Sequence, residues 1–224
     1  MTLRSVGNAE PKHVRVALAA GAASLVLICT ALTYDDSVLH WQRAYLLWAG
    51  FAFGSIASAY CGLGLAVFRR KEGRMDPFAL FALFPALCSL WVWHAWRRQQ
   101  FSPTTHVLGN VYIGGFFSKE KQWTAVLDLT SEYPVPSIDV TQAAYFNIPC
   151  LDNVDVPDYA LREGVRFIDS HCKAGPVLVH CAIGRFRSAR MVVSWLQHSH
   201  GYSEREAWQL LKRLRPHVNP PINM

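Results

Sequence analysis

Three stretches of this chain, Val16 to Thr33, Ala44 to Phe68 and Pro77 to Trp96, contain no Asp, Glu, Lys or Arg. They run for 18, 25 and 20 residues. About 20 apolar residues in helix cross a bilayer core, and an uncharged run of 18 or more reads as such a span. Three buried helices of a soluble protein are the alternative, but 224 residues, only 17% of them charged, are too few to wrap three such helices in polar surface. The flanks fit a membrane: Trp91, Trp93 and Trp96 beside Arg97 and Arg98 are placed as an interfacial aromatic and basic anchor. The first stretch follows Arg4, Lys12 and Arg15 as a signal peptide would, yet Leu32-Thr33-Tyr34-Asp35 makes a poor cleavage site. The expectation is a multi-pass membrane region over residues 1–100, with spans near 16–33, 44–68 and 77–96.

Within the second span Gly50, Gly54, Ser58 and Gly62 recur every four residues, a stripe along which another helix backbone can approach. It serves packing against the neighbouring spans or, as a sharper reading, a homodimer through the second span. Pro85 removes a helix hydrogen bond in the third span, so a neighbour should satisfy the freed carbonyl. Basic residues concentrate before the first span and in Arg69-Arg70-Lys71-Glu72-Gly73-Arg74, whereas Asp35 and Asp36 lie in the loop between. The positive-inside rule then puts the N-terminus and second loop in the cytoplasm. Three full crossings export the C-terminal half; a third stretch that only dips into the interface keeps it inside.

Cys29, Cys61 and Cys88 fall one to each span and read as small apolar packers. The nine histidines form no ligand cluster, and no metal or other cofactor is expected. Net charge is shared, with 8 Lys+Arg against 5 Asp+Glu up to Trp96 and 14 against 11 beyond it, so no basic tail marks a nucleic-acid partner.

After a linker (Gln99 to Thr104) the composition becomes that of a folded domain, residues 101–224. Val111 to Ile113, Ala125 to Leu129, Ala144 to Ile148 and Val177 to His180 read as strands. Leu161, Val165, Ile168 and Cys172 share a helix face before Gly175-Pro176; Met191, Val192, Trp195 and Leu196 mark a second helix closed near Gly201. Ser203 with Glu206 is a capping box for a third that ends before Pro216. Strands alternating with helices imply an α/β fold, a mostly parallel sheet flanked by helices on both faces. Ligands in such folds bind beyond the carboxyl ends of the strands.

That place holds the strongest motif, Val177-Leu-Val-His180-Cys181-Ala-Ile-Gly184-Arg185-Phe186-Arg187-Ser188, a buried strand entering a loop and then a helix. Backbone N–H groups from Ala182, Ile183, Gly184, Arg185, Phe186 and Arg187 can curl into an anion nest reinforced by the helix dipole. The same field lowers the pKa of Cys181 toward a thiolate. Arg187 can grip two phosphate oxygens, Gly184 supplies a conformation a side chain resists, Ser188 can donate to the sulfur, and His180 can orient the loop from behind. Arg185 adds a second cation that suits an anionic headgroup.

These residues resemble the active-site loop of the cysteine-based phosphatases, the protein tyrosine and dual-specificity superfamily. Val111-Tyr-Ile-Gly-Gly115 is similar to the first strand of the dual-specificity branch, Tyr145-Phe-Asn-Ile-Pro149 to the approach to its acid loop, and Arg215-Pro216 to its usual ending. The resemblance implies a dual-specificity-phosphatase-like fold and hydrolysis of phosphomonoesters through a phosphocysteine intermediate, with Cys181 as nucleophile and a carboxyl as acid and then base. Asp152, 29 residues before Cys181, is the preferred acid, ahead of Asp155 and Asp158; Asp128, after a strand, reads as a turn cap. Cys150 and Cys172 pack in the core or, as some members allow, pair with an oxidised Cys181. A membrane-anchored phosphatase is the leading reading, a catalytically silent phosphate-binding scaffold the second. Its substrate is a phospholipid phosphate, such as phosphatidylglycerophosphate or a phosphoinositide, or a phosphoprotein (tyrosine or serine/threonine).

Overall fold

A computed structural model describes residues 11–33, 40–116, 122–135 and 143–220. Arg4, Asp35 and Asp36 lie outside the described residues. The chain forms two units, one of residues up to Arg69 with Asp76–Leu90, the other of Arg70–Met75 with the chain from Trp91 onward.

In the first unit α1 (Pro11–Thr33) packs on α2 (His40–Ser58), and α3 (Pro77–Arg98) begins. All three helices are long and apolar enough to cross a membrane. The small-residue stripe brings α1 and α2 together: Ser24 Oγ donates to the Gly50 carbonyl at 2.7 Å. A Cβ on Gly50 would lie 2.6 Å from Ile28 Cγ1, and one on Gly54 2.9 Å from Ser24 Oγ. The face expected to carry a homodimer is thus occupied by α1 of the same chain over Gly50 and Gly54. It does not reach Gly62, because the helix breaks after Ser58 into a π turn (Ala59–Leu63) and a 3-10 turn (Gly64–Phe68). Gly62 and Gly64, with φ of +129° and +59°, permit that break where a side chain would resist it. Pro85 sits inside α3, and the indole of Trp48 donates to the carbonyl it frees, Phe81 O, at 3.1 Å. Cys29 and Cys61 are exposed on the helix surface rather than packed, and Cys88 is half-buried.

The second unit contains a hairpin, β1 (Arg70–Lys71) and β2 (Arg74–Met75), then the last turns of α3, then β3 (Thr104–Leu108), β4 (Val111–Gly115), β5 (Ala125–Thr130), β6 (Ala144–Cys150), α4 (Asp158–His171), β7 (Val177–Cys181), α5 (Arg187–His200) and α6 (Glu204–Leu214). The sheet order is β3-β4-β7-β5-β6, parallel except for β3, which pairs antiparallel with β4. The linker expected up to Thr104 therefore ends in an edge strand; its short apolar content, Val107 and Leu108, is a weak strand signal, and pairing with β4 decides it.

Period-two alternation gives the two faces different coats. Val177, Val179 and Cys181 of β7 with Ala125, Leu127 and Leu129 of β5 meet α4, α5 and α6 in one core. On the opposite face Val126 and Leu178 lie under Tyr112, Trp123 and Tyr145, and near the carboxyl ends Ala182 lies under Phe116, Tyr133 and Trp91 of α3. Helices of the C-terminal half thus cover one face, not both as expected, because aromatic rings bury the other. Helix ends follow the local signals: Gly201 adopts φ +70°, and the Ser203–Glu206 capping box forms with both bonds.

Candidate active site

β7 is paired on both sides and wholly buried, so its carboxyl end delivers Cys181 to the centre of the sheet edge, opposite Gly115 of β4. The loop that follows turns its carbonyls outward. Ala182 O accepts from Phe116 N (3.2 Å) and Arg98 Nη1 (3.3 Å), Arg185 O from Asn219 N (3.0 Å) and Phe186 O from Arg190 N (2.8 Å). Arg215, nearly fully buried, donates to Gly184 O (2.8 Å) and Ile183 O (3.3 Å) and ties the loop to Ser102 O and Thr105 Oγ1, both at 2.9 Å. With the carbonyls so engaged, the N–H groups face inward, and Gly184 N donates to Cys181 Sγ at 3.3 Å. Gly184 has φ +78°, and a Cβ there would lie 2.6 Å from Gly114 O, so glycine is required twice over.

Cys181 is buried, which by itself raises a thiol pKa; the Arg187 charge and hydrogen bonds from the side chain and backbone of Ser188 outweigh this and hold it below its ordinary value. Ser188 Oγ lies 3.3 Å from Sγ.

Arg187 is completely buried at the start of α5. Its Nη1 and Nη2 donate to Glu132 Oε2 (2.9 Å) and Oε1 (2.7 Å), a two-pronged contact, and Nη1 also reaches Cys150 O at 2.9 Å. Nε has no hydrogen-bond partner among the described residues, and Nη2 also lies 3.1 Å from Asp152 Oδ1. Burial works against the Glu132 carboxylate, but the Arg187 charge and hydrogen bond prevail and bring it from 4.5 to about 2. Burial likewise opposes the Arg187 charge, and Glu132 and Asp152 raise its pKa well above the usual arginine value.

Of the three acid candidates the structure brings only Asp152 to Arg187. Asp155, side chain 68% exposed, faces Arg190 at 3.6 Å, and Asp158 starts α4 at the surface. Asp128 does cap its turn, accepting from Thr130 N at 2.8 Å, but it is also fully buried and accepts from Tyr145 OH at 2.5 Å. His180 Nε2 lies 3.7 Å from Asp128 Oδ1; burial holds the imidazole below its ordinary pKa, so it sits under the sheet edge as a neutral support. Arg185 differs from expectation: its guanidinium donates to His217 O (2.7 Å) and Asn219 Oδ1 (3.1 Å) and stacks over Phe101, which commits it to the C-terminal segment. Cys150 is buried near Arg187, and burial pushes its thiol up to about 12. Cys172 follows α4, its carbonyl bonded to Asn110 beside the start of β7. Cys181 ends that strand, roughly 13 Å along it, beyond disulfide reach of Cys172.

Glu132, Tyr133 and Arg215 escaped the sequence reading as site residues. Only Arg215-Pro216 carried a signal, as an ending; Glu132 stands 55 residues from Arg187 in an unremarkable Ser-Glu-Tyr-Pro turn.

Residues 110–224, just over half of the chain, match the family described as Dual specificity phosphatase, catalytic domain. The chain belongs to the dual specificity phosphatase family. Among its relatives, Phosphatidylglycerophosphatase and protein-tyrosine phosphatase 1 of Rattus norvegicus is 31% identical over 103 residues, 42% of this chain and 53% of that protein. Dual specificity protein phosphatase 15 of Homo sapiens is 30% identical over 129 residues, 52% of this chain and 42% of that protein. The chain thus spans about half the length of these curated relatives or less. A crystal structure of DUSP15 is 26% identical over 53% of this chain and 80% of its own, with a TM-score of 0.48.

Proposed function

We propose that this phosphatase-family chain is an active, membrane-anchored phosphomonoesterase acting through a phosphocysteine. One observation carries the reading: a buried cysteine of lowered pKa shares its loop with a guanidinium held by Glu132 and touched by a second carboxylate, Asp152. Phosphate oxygens take the inward N–H groups and the Nε and Nη2 edge of Arg187. The Cys181 thiolate attacks phosphorus, the bond to the leaving oxygen breaks, and Asp152 gives that oxygen its proton. The Asp152 carboxylate then takes a proton from water as it attacks the phosphocysteine, and Ser188 donates to the departing sulfur, which regenerates the thiolate.

We take the substrate to be a phospholipid phosphate. The rat relative carries both a lipid and a protein-tyrosine activity in its name, and five residues, Gln99 to Pro103, connect α3 to β3. Such a connection reaches at most ~21 Å, which keeps the site close to α3. The test is phosphate release by the detergent-solubilised full chain from vesicles bearing phosphatidylglycerophosphate or phosphoinositides and from phosphopeptides, with Cys181→Ser as control. Turnover on lipid above peptide supports the reading. Peptide turnover alone transfers the substrate to proteins, and none at all leaves the silent scaffold.

For the side of the membrane, support comes from contacts within the second unit. Met75 N donates to Pro134 O at 3.0 Å, the Arg70 guanidinium bonds Tyr133 O, and Trp91 Nε1 donates to Glu132 O at 2.9 Å. Met75, before α3, and Trp91, about two thirds along it, thus attach within three consecutive residues, which span less than ~11 Å, whereas the two ends of a crossing helix lie on opposite sides of a ~30 Å core. This supports α1 and α2 as the crossing pair, with the catalytic unit on the same, basic-loop side, where a reducing cytoplasm preserves the Cys181 thiolate. Reporter fusions after Arg74 and after Met224 should report the same compartment; opposite compartments would restore three crossings.

A further inference from the structure

His94 is the one basic side chain between Pro77 and Trp96, and it is completely buried. Trp91, His94 and Arg98 fall on one face of α3, at helical spacings of three and four. That face meets the turn that carries Glu132 and Tyr133. Trp91 stacks on the Tyr133 ring at 6.3 Å and donates to Glu132 O, while Arg98 Nη1 donates to Tyr133 OH at 2.8 Å. His94 Nδ1 lies 3.1 Å from the same hydroxyl.

The proton order in this chain is determined by chemistry. A guanidinium only donates, so the Tyr133 oxygen accepts from Arg98. Its own proton then goes to His94 Nδ1, the one acceptor in reach among the described residues. A neutral imidazole that accepts at Nδ1 carries its hydrogen on Nε2. That Nε2 has no hydrogen-bond partner among the described residues, and it lies 4.0 Å from Asp152 Oδ2. The charged groups facing the ring are Glu132, Asp152, Arg187 and Arg98.

We propose that His94 is a positioning residue for the catalytic acid, recruited from the apolar helix α3; this rests on the phosphatase reading above. A bound phosphate takes over Arg187 Nη2, which now holds Asp152 Oδ1 at 3.1 Å, so the carboxyl loses that anchor as chemistry begins. Asn153 Nδ2, next along the same loop, donates to Oδ2 at 3.1 Å and moves with it, so the Nε2–H of His94 is the donor from outside the loop that can fix the carboxyl. Its approach shortens as Asp152 turns toward it, as catalytic hydrogen bonds tighten on substrate binding. Holding Oδ2 as acceptor leaves the acidic proton on Oδ1, the oxygen on the Arg187 side, where the leaving group sits. The chain Arg98, Tyr133, His94, Asp152 thereby ties acid placement to the seat of α3.

The experiment uses the full chain in detergent and compares kcat on an alkyl phosphate, β-glycerophosphate, with kcat on p-nitrophenyl phosphate, whose good leaving group hardly needs the proton. General acid catalysis supplies roughly 10²–10⁴-fold, and loss of one of its supports should remove about tenfold of that. His94→Leu should lower kcat on the alkyl ester about tenfold more than on the aryl ester, with KM unchanged. His94→Gln, whose amide N–H replaces Nε2–H, should recover most of the difference. Tyr133→Phe removes one oxygen and should act in the same direction, and it carries the test if His94→Leu melts early. Equal losses on both esters, or no loss, overturn the proposal while leaving the phosphatase reading intact. A parent chain that hydrolyses neither ester overturns both.

Discussion

Replacing Glu132 by Gln keeps shape and removes one charge from beneath Arg187. In the parent both guanidinium prongs land on this carboxylate at 2.7 and 2.9 Å, inside a site where neither group meets water. Two routes give the size of the loss. The shift of Glu132 from 4.5 to about 2 corresponds to about 3 kcal/mol of preferential interaction with the ionised form. Removing one partner of a buried pair costs roughly 3–5 kcal/mol, because the surviving charge has no solvent. Asp152, 3.1 Å from Nη2, still offers Arg187 a partial counter-charge, so the lower figure, about 3 kcal/mol, is the expectation. For a chain of this size that lowers the melting temperature by roughly 6–12 °C. The sign with pH follows from the depressed pKa: the stabilisation is complete above the unfolded value near 4.5 and is lost as pH falls toward about 2. Thermal melts of parent and Glu132→Gln, followed by tryptophan fluorescence in detergent, should therefore differ fully at pH 7 and draw together as pH falls from 4.5 toward about 2. A variant that melts within ~2 °C of the parent at pH 7 refutes the account of Glu132 as the buried counter-charge of Arg187.

Gly184→Ala forces a side chain into φ +78° and against Gly114 O, so it should lose at least about 1–2 kcal/mol and most turnover; a melt and an activity equal to the parent's would contradict the loop geometry. Arg187→Lys should be nearly inactive even where it folds, because an ammonium cannot meet Glu132 and a phosphate with paired contacts, and steady-state kinetics on p-nitrophenyl phosphate measure this directly. Asp152→Asn should slow alkyl phosphates far more than aryl phosphates, whereas Asp155→Asn, at the surface beside Arg190, should leave both rates within about twofold. The reverse pattern would move the acid three residues along the loop.

Signals confined to a few consecutive residues could be read without a structure. The strand, loop and helix that carry Cys181, Gly184, Arg187 and Ser188 are contiguous, and their chemistry follows from backbone N–H groups one after another. The Ser203–Glu206 capping box, the Gly201 stop and the carbonyl freed by Pro85 are equally local, and each appears where the periodicity puts it. The resemblance to the phosphatases ranked Asp152 first by its separation from Cys181, but only the folded loop shows Asp152 on Arg187 and Asp155 turned to solvent.

Features made among near neighbours were legible beforehand, namely the apolar stretches, the anion nest and the helix ends, although the break after Ser58 at Gly62 and Gly64 was not. Tertiary structure alone decided which distant groups converge on them. Glu132 is an ordinary turn carboxylate until burial against Arg187 makes its charge indispensable, and Arg185 is a loop cation until His217 and Asn219 claim it. Trp91 and His94 read as part of a membrane helix until Glu132 and Tyr133 turn that face into support for the active site. The physical reason is that local hydrogen bonding and periodicity are written in adjacent residues. Desolvation and charge pairing depend on which residues from far along the chain exclude water together, and no single segment encodes that.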